Sequence, residues 1–130
     1  MKEKVVLVIR VLFGLMMVNA GLNKFLQYMP IPEMTEQAME LMGAFGATAY
    51  MFPLIAITEL IAGVLIITKK YTALGAVLMM PVTVNIFLFH AYLDSAGLAM
   101  GAVLLLINIG LLVSQKSRLY PMCGCDANCC

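Results

Sequence analysis

The chain has 130 residues, of which 63% are hydrophobic and 12% charged, against about 45–50% and about 25% in a soluble domain. With a mean hydropathy of +0.99, the apolar excess is too large for a water-soluble core, and a single integral membrane domain is expected. The net charge of +1 makes no case for a nucleic-acid partner, and Trp is absent, so any interfacial aromatic belt falls to Tyr28, Tyr50, Tyr71, Tyr92 and Tyr120.

The start of the chain resembles a signal peptide: Lys2 and Lys4 precede an apolar run, and Val18-Asn19-Ala20 would serve as a cleavage site. The run continues past Ala20, so it reads as a first spanning helix. A span needs roughly 20 mostly apolar residues, and four segments qualify: residues 5–28, 45–68, 71–92 and 95–114. Their continuous apolar character, without alternation, excludes a membrane barrel. The expected fold is all-α, an integral membrane four-helix bundle.

Lys and Arg precede the first span (Lys2, Lys4), join the second to the third (Lys69, Lys70) and follow the fourth (Lys116, Arg118). The loop between spans one and two carries Glu33, Glu36 and Glu40 and no basic residue. The positive-inside rule then makes both termini cytoplasmic. The chain divides into a membrane domain, residues 1–115, and a cytoplasmic tail, residues 116–130.

Residues 32–45 of the outer loop read as a short amphipathic helix. Pro32 suits its first position, and Glu33 and Glu36 suit its first turn. Met34, Ala38, Leu41, Met42 and Phe45 recur at helical spacing, with the glutamates opposite. Such a segment either lies on the headgroups as a connector or covers a site as a lid. In span three, Pro81 removes a backbone donor and crowds the carbonyl of Val77, so a kink is expected. Pro53, near the start of span two, is milder. Gly97, Gly101 and Ala102 give span four a small face for another helix.

Polar residues recur inside the spans: Asn19, Asn23 and Lys24 in the first, Thr58 and Glu59 in the second, Asn85 and His90 in the third, Asn108 in the fourth. Counted at about 1.5 Å per residue, Asn19, Glu59, Asn85 and Asn108 fall near mid-depth, with Lys24 and His90 nearer the outer surface. Amides at such depth act as glue between helices, worth around 0.6 kcal/mol each; Asn108 and Asn19 suit that role. A carboxyl near the bilayer centre costs at least about 2.5 kcal/mol and has a partner or a purpose. Glu59 is therefore the leading candidate for a site, and in its acid form it could donate a hydrogen bond or pass a proton. His90 carries the one side chain of the type that exchanges protons near neutral pH; otherwise it marks a helix end. Arg10 is expected to snorkel to the cytoplasmic headgroups. Lys24 either snorkels outward or supplies the counter-charge to a substrate or to Glu59.

The stretch "RVLFGLMMVNAGLNKF", with Arg10, Gly14, Gly21 and Lys24, resembles the first helix of the DoxX family, and "ELIAGVLIITKKYTALGAVLM", with Glu59, Gly63 and Ala73, resembles its second and third. The resemblance covers about residues 5–115. It departs from the family pattern in the turn "ITKKYT", where Gly and Arg are more usual, and in the cysteine-rich end. The resemblance implies a four-helix protein of the bacterial inner membrane in a redox pathway, working with partner subunits or as a homo-oligomer. The family takes its name from a subunit of a thiosulfate:quinone oxidoreductase. A quinone site would use Lys24 and His90 as donors and Glu59 as proton carrier, with Asn19, Asn23, Asn85 and Asn108 as further substrate contacts. No flavin, haem or nicotinamide fingerprint is present, so electrons would come from a partner, the substrate or the tail.

All the cysteines, Cys123, Cys125, Cys129 and Cys130, fall in the last eight residues, "CGCDANCC". In a cytoplasmic tail they would stay reduced. Four thiolates in C-x-C-x3-C-C spacing can wrap one Zn(II) or Cu(I) ion, in a pattern unlike zinc fingers or ferredoxin clusters. Redox thiol chemistry and an incidental reactive tail are the alternatives. Met29, Met34, Met39, Met42 and Met51 gather near the outer loop and are soft ligands too, although Met also serves simply to fill gaps. Soft-metal or small-solute binding and transport, and scaffolding of a membrane complex, are the rival functions.

Overall fold

The computed structural model describes residues 1–122 and Gly124; the four cysteines expected as metal ligands lie outside the described residues. The helices are α1 (Lys2–Leu26), α2 (Glu36–Ala47), α3 (Met51–Ile67), α4 (Thr72–Tyr92), α5 (Leu98–Ser114) and α6 (Lys116–Met122), with a 3-10 turn at Ser95–Gly97 ahead of α5. No strand occurs among the described residues. α1, α4 and the run Ser95–Ser114 are each long and apolar enough to cross a membrane; α2 and α3 together make a fourth, broken candidate. The chain is a multi-pass membrane protein, and its exposed Leu, Val, Ile and Phe side chains face lipid.

Neighbouring long helices run antiparallel, α1 along α3, α3 along α4 and α4 along α5, while α1 and α5 touch sparingly. Small residues set the closest seam. A Cβ on Gly14 would stand 2.8 Å from the carbonyl oxygen of Gly63, and one on Gly63 would stand 2.8 Å from the carbonyl oxygen of Gly14. One turn or two further along, a Cβ on Gly21 would stand 2.8 Å from the carbonyl oxygen of Ala56. Glycine at these points lets backbones meet, the main source of helix association where lipid removes the hydrophobic drive. Phe13, Met17, Ala62, Ile66, Ala76, Met79, Leu104 and Leu111 fill the core. Gly101 packs against Phe87 of α4, as its place on a small face anticipates. Gly97 instead lies in the 3-10 turn, under the ring of His90.

Two element starts differ from expectation. The outer helix begins at Glu36, with the Thr35 hydroxyl accepting from the Ala38 N–H at 3.3 Å. Threonine is a strong N-cap, and it overrides Pro32 as the starting signal. The anticipated apolar stripe is nonetheless the inward one: Ala38 is buried, Met34, Leu41, Met42 and Phe45 are half-buried, and Glu33, Glu36 and Glu40 are exposed. The expected second span, 45–68, is broken. Phe45 belongs to α2, Ala49 takes a left-handed φ of 61°, and the chain turns by 91° before α3. Pro53 explains the position of the break: it falls in the first turn of α3, where a missing donor costs nothing. α3 has 17 residues, about 25 Å at 1.5 Å per residue, short of a hydrocarbon core of about 30 Å. α2 folds over the end it leaves uncovered, and Phe45 meets Phe52 edge to face, ring centroids 6.3 Å apart.

Both described ends of the chain lie at one end of the bundle. There the Arg118 guanidinium donates to the carbonyls of Lys69 and Lys70 at 2.8 and 3.1 Å.

Candidate functional site

Arg10, Gly14, Met17, Gly21 and Lys24 succeed one another at steps of three and four, which puts them on one face of α1. The glycine seam turns that face toward α3. Lys24, one turn from the end of α1, is thereby aimed at Glu59, two turns into α3. Its Nζ donates to Oε2 at 2.6 Å and to Oε1 at 2.9 Å. Glu59 is 1% exposed, whereas the Lys24 side chain keeps 27% of its surface open. Of the two roles foreseen for Lys24, the structure takes the counter-charge. A carboxylate this deep needs its cation close, because desolvation outweighs the attraction unless the geometry is good. Two of the three ammonium protons go to the carboxylate, and one remains for a ligand.

The pair forms part of the wall of a cavity of about 460 Å³ between α1, α2, α3 and α4, within the usual range for small-molecule sites. Its apolar lining includes Met42 and Phe45 from α2, Phe52 and Ile55 from α3, and Pro81 and Phe89 from α4. Its polar lining is Lys24, Thr58, Glu59, Asn85 and His90. The Thr58 hydroxyl is spent on the Leu54 carbonyl at 2.8 Å. The Asn85 carboxamide is exposed and makes no hydrogen bond to another described residue. Pro81 leaves the carbonyl of Val77 without its helical donor, yet α4 is continuous through it.

His90 is held from behind. Its Nδ1 lies 3.1 Å from the carbonyl oxygen of Asp94, so Nδ1 donates and Nε2 is the acceptor in the neutral ring. The Asp94 carboxylate is 3.5 Å from the same nitrogen, on a side chain 10% exposed. The loop holding Asp94 is tied to α2, since the Thr35 hydroxyl donates to the carbonyl of Leu93. Asp94 and Thr35 were not foreseen; the four-residue spacing of His90 and Asp94 was the available signal.

The remaining amides lie elsewhere. Asn19 and Asn23 stand on the opposite side of α1 from Gly21. Asn19 accepts from the Tyr28 hydroxyl and approaches Met29 Sδ at 3.6 Å, and Asn23 Oδ1 accepts from the Met29 N–H at 2.8 Å. They pin the chain leaving α1 and do not line the cavity. Asn108 is fully buried between α5 and α4, donating to Thr83 Oγ1 at 3.1 Å and to Met80 Sδ at 3.4 Å. It joins helices away from the cavity. Thr83 and Met80 complete that contact and were not anticipated. Among the described residues no three His, Cys, Asp or Glu side chains gather as a metal site.

Residues 5–92, from α1 to the end of α4, match the DoxX family model. The chain belongs to the DoxX family. The match includes every residue of the ion pair and the cavity wall, and it stops before α5. No curated protein and no solved structure matches the chain. In this DoxX protein the family segment is thus the part of the bundle that builds the cavity, and α5 packs on α4 without lining it.

Proposed function

We propose that the protein is a bacterial inner-membrane subunit of a redox pathway, binding a quinone or similar carbonyl-bearing lipophile in the cavity beneath α2. The observation that carries the reading is the Lys24–Glu59 pair set in an apolar wall. A quinone ring needs an apolar slot, a donor at each carbonyl and a route for protons on reduction. Phe45, Phe52 and Phe89 supply flat apolar surface. The third Lys24 proton and the Asn85 amide are donors. Glu59 is the group placed to pass a proton to Lys24, and His90, backed by Asp94, is the one placed to exchange protons at the outer end. The positive-inside rule supports a cytoplasmic position for both termini, because the basic residues other than Lys24 gather at the end opposite the cavity. Electrons would reach the site from a partner subunit.

A second reading has one observation in its favour: Met42, Met51 and His90 share the cavity wall, a soft donor set suited to Cu(I), with the cysteine tail as a second soft-metal site.

Titrating purified protein in detergent with a short-chain quinone, by calorimetry, separates these. The quinone reading expects saturable binding that weakens about tenfold or more in Lys24→Met and is unaffected when residues 123–130 are removed. Absence of quinone binding, together with Cu(I) uptake that depends on Met42 and Met51, would replace it with metal handling.

A further inference from the structure

The cavity does not stop at the core. On α3 its wall runs from Glu59, 1% exposed, outward through Thr58 to Leu54, 56% exposed. On α4 it runs from the half-buried Ile86 and Phe89 outward to Pro81 and Asn85, both exposed. Leu54 with Thr58, and Pro81 with Asn85, are steps of four residues, so each pair marks one face of its helix. The cavity therefore continues through the gap between α3 and α4 and reaches the lipid-facing surface. Toward the far end of the bundle the same two helices are shut. A Cβ on Gly75 of α4 would stand 2.8 Å from the Ala62 carbonyl oxygen and 2.9 Å from the Ile66 nitrogen of α3. Across the near end, α2 lays Met42 and Phe45 over the cavity, and Phe45 packs on Phe52. The Thr35 hydroxyl ties the start of α2 to the Leu93 carbonyl. The side toward lipid has no such cover among the described residues.

Asn85 gives this gap a chemical character. It lies two turns in from the Tyr92 end of α4, about 10 Å at 1.5 Å per residue, inside a hydrocarbon core about 30 Å thick. An amide at that depth is costly without a partner, and Asn85 makes no hydrogen bond to another described residue. Deeper in, Lys24 and Glu59 neutralise each other and so suit an uncharged polar head. At the rim, Leu54 and Pro81 are apolar and suit a hydrocarbon chain. A phospholipid would have to draw a charged headgroup into the hydrocarbon to use this gap. A water-soluble ligand would have to pass α2 and would leave the rim unused.

We propose that the α3–α4 gap is a lateral portal for a lipophile with an uncharged polar head and a long hydrocarbon chain, entering from the bilayer. The head passes to Lys24, Asn85 meets the polar group nearest the chain, and the chain stays in the gap at the Leu54 and Pro81 rims. This rests on the quinone reading above and adds to it the route and the chain.

Calorimetric titration of the full chain in detergent tests this with two quinones of the same ring, one bearing a long alkyl chain and the other a methyl group. Leu54→Trp narrows the gap at its rim. Val64→Trp, on the lipid face of α3 and outside the cavity wall, is its control; both positions are 56% exposed, so the added bulk stays out of the core. The chain-bearing quinone should bind Leu54→Trp about tenfold or more weakly than the native chain, with the methyl quinone changed less than about twofold and Val64→Trp changing neither. Asn85→Leu should weaken both ligands about fivefold. An equal loss for both ligands in Leu54→Trp, no loss for either, or undiminished binding of both in Asn85→Leu would overturn the portal while the quinone site stands. Binding of neither quinone to the native chain would remove the quinone reading itself, and the portal with it.

Discussion

At the cavity end of the bundle a buried carboxylate has its cation at 2.6 Å, and the helices stand apart around about 460 Å³ of space. At the other end of the same α1 face, Gly14 and Gly63 bring two backbones into contact, and Arg10, 7% exposed, takes part in neither ion pair among the described residues. The tight end fixes the rotation of α1, and that rotation aims Lys24, about three turns beyond Gly14 and one beyond Gly21, at Glu59. The open end can hold a site because α3 is short and α2, bent across it, covers the gap without filling it. Rigidity at one end and space at the other are therefore parts of one arrangement, and substitutions at the two ends should behave differently.

The largest effect is expected at the seam. Gly63→Val places a Cβ 2.8 Å from the Gly14 carbonyl oxygen and 3.1 Å from the Val18 nitrogen, atoms of backbone that cannot step aside. It should cost about 3 kcal/mol, the upper range for overpacking, read as a fall in resistance to denaturing detergent. Equal stability of the variant and the parent would show that the seam does not hold the bundle. Next comes the ion pair. Glu59→Gln leaves Lys24 unpaired in an apolar wall and should cost about 2 kcal/mol, less than for a fully buried pair because Lys24 keeps access to the cavity. Lys24→Met with Glu59→Leu should recover most of that loss, and a double-variant cycle that is simply additive would contradict direct pairing.

How far these features can be read from the sequence follows from what hydropathy measures. It gives depth along a helix, so α1, α4 and α5 were legible to within a few residues. It does not give the direction a side chain faces. Asn23 shares the depth of Lys24 and Asn19 lies one turn deeper, but both stand behind α1, and Arg10 faces inward although a long basic side chain near a helix end ordinarily reaches for headgroups. The missing information was present in another form. Arg10, Gly14, Met17, Gly21 and Lys24 keep a step of three and four residues, and a helix that meets its neighbour through glycine must bury whatever else lies on that stripe. The break before α3 was hidden because Phe45, Ala47, Ala49 and Tyr50 are as apolar as a span; Thr48 and the first-turn Pro53 were its only marks. The inward stripe of α2 was fully legible, since Met34, Ala38, Leu41, Met42 and Phe45 alternate with acids at helical spacing.

Two smaller substitutions sharpen the contrast. Asn108→Leu deletes the bond to Thr83 and also removes the buried, unpartnered Oδ1, so the net change should stay within about 0.6 kcal/mol, the average for a hydrogen bond between membrane helices. A clear loss of quinone binding in that variant would place Asn108 in the site after all. Gly46→Ala, where a Cβ would meet only Phe52 at 3.7 Å, should shift stability by less than about 0.5 kcal/mol, in contrast to Gly63→Val.

The central claim is that Lys24, held by Glu59, presents a proton to a ligand carbonyl inside the cavity. Infrared difference spectra of a carbonyl-labelled short-chain quinone, added to the protein in detergent, test it most directly. A carbonyl band moved to lower frequency in the native chain, and returned to its free position in Lys24→Met, is the expected result. A band identical to that of the quinone in protein-free micelles would contradict the account.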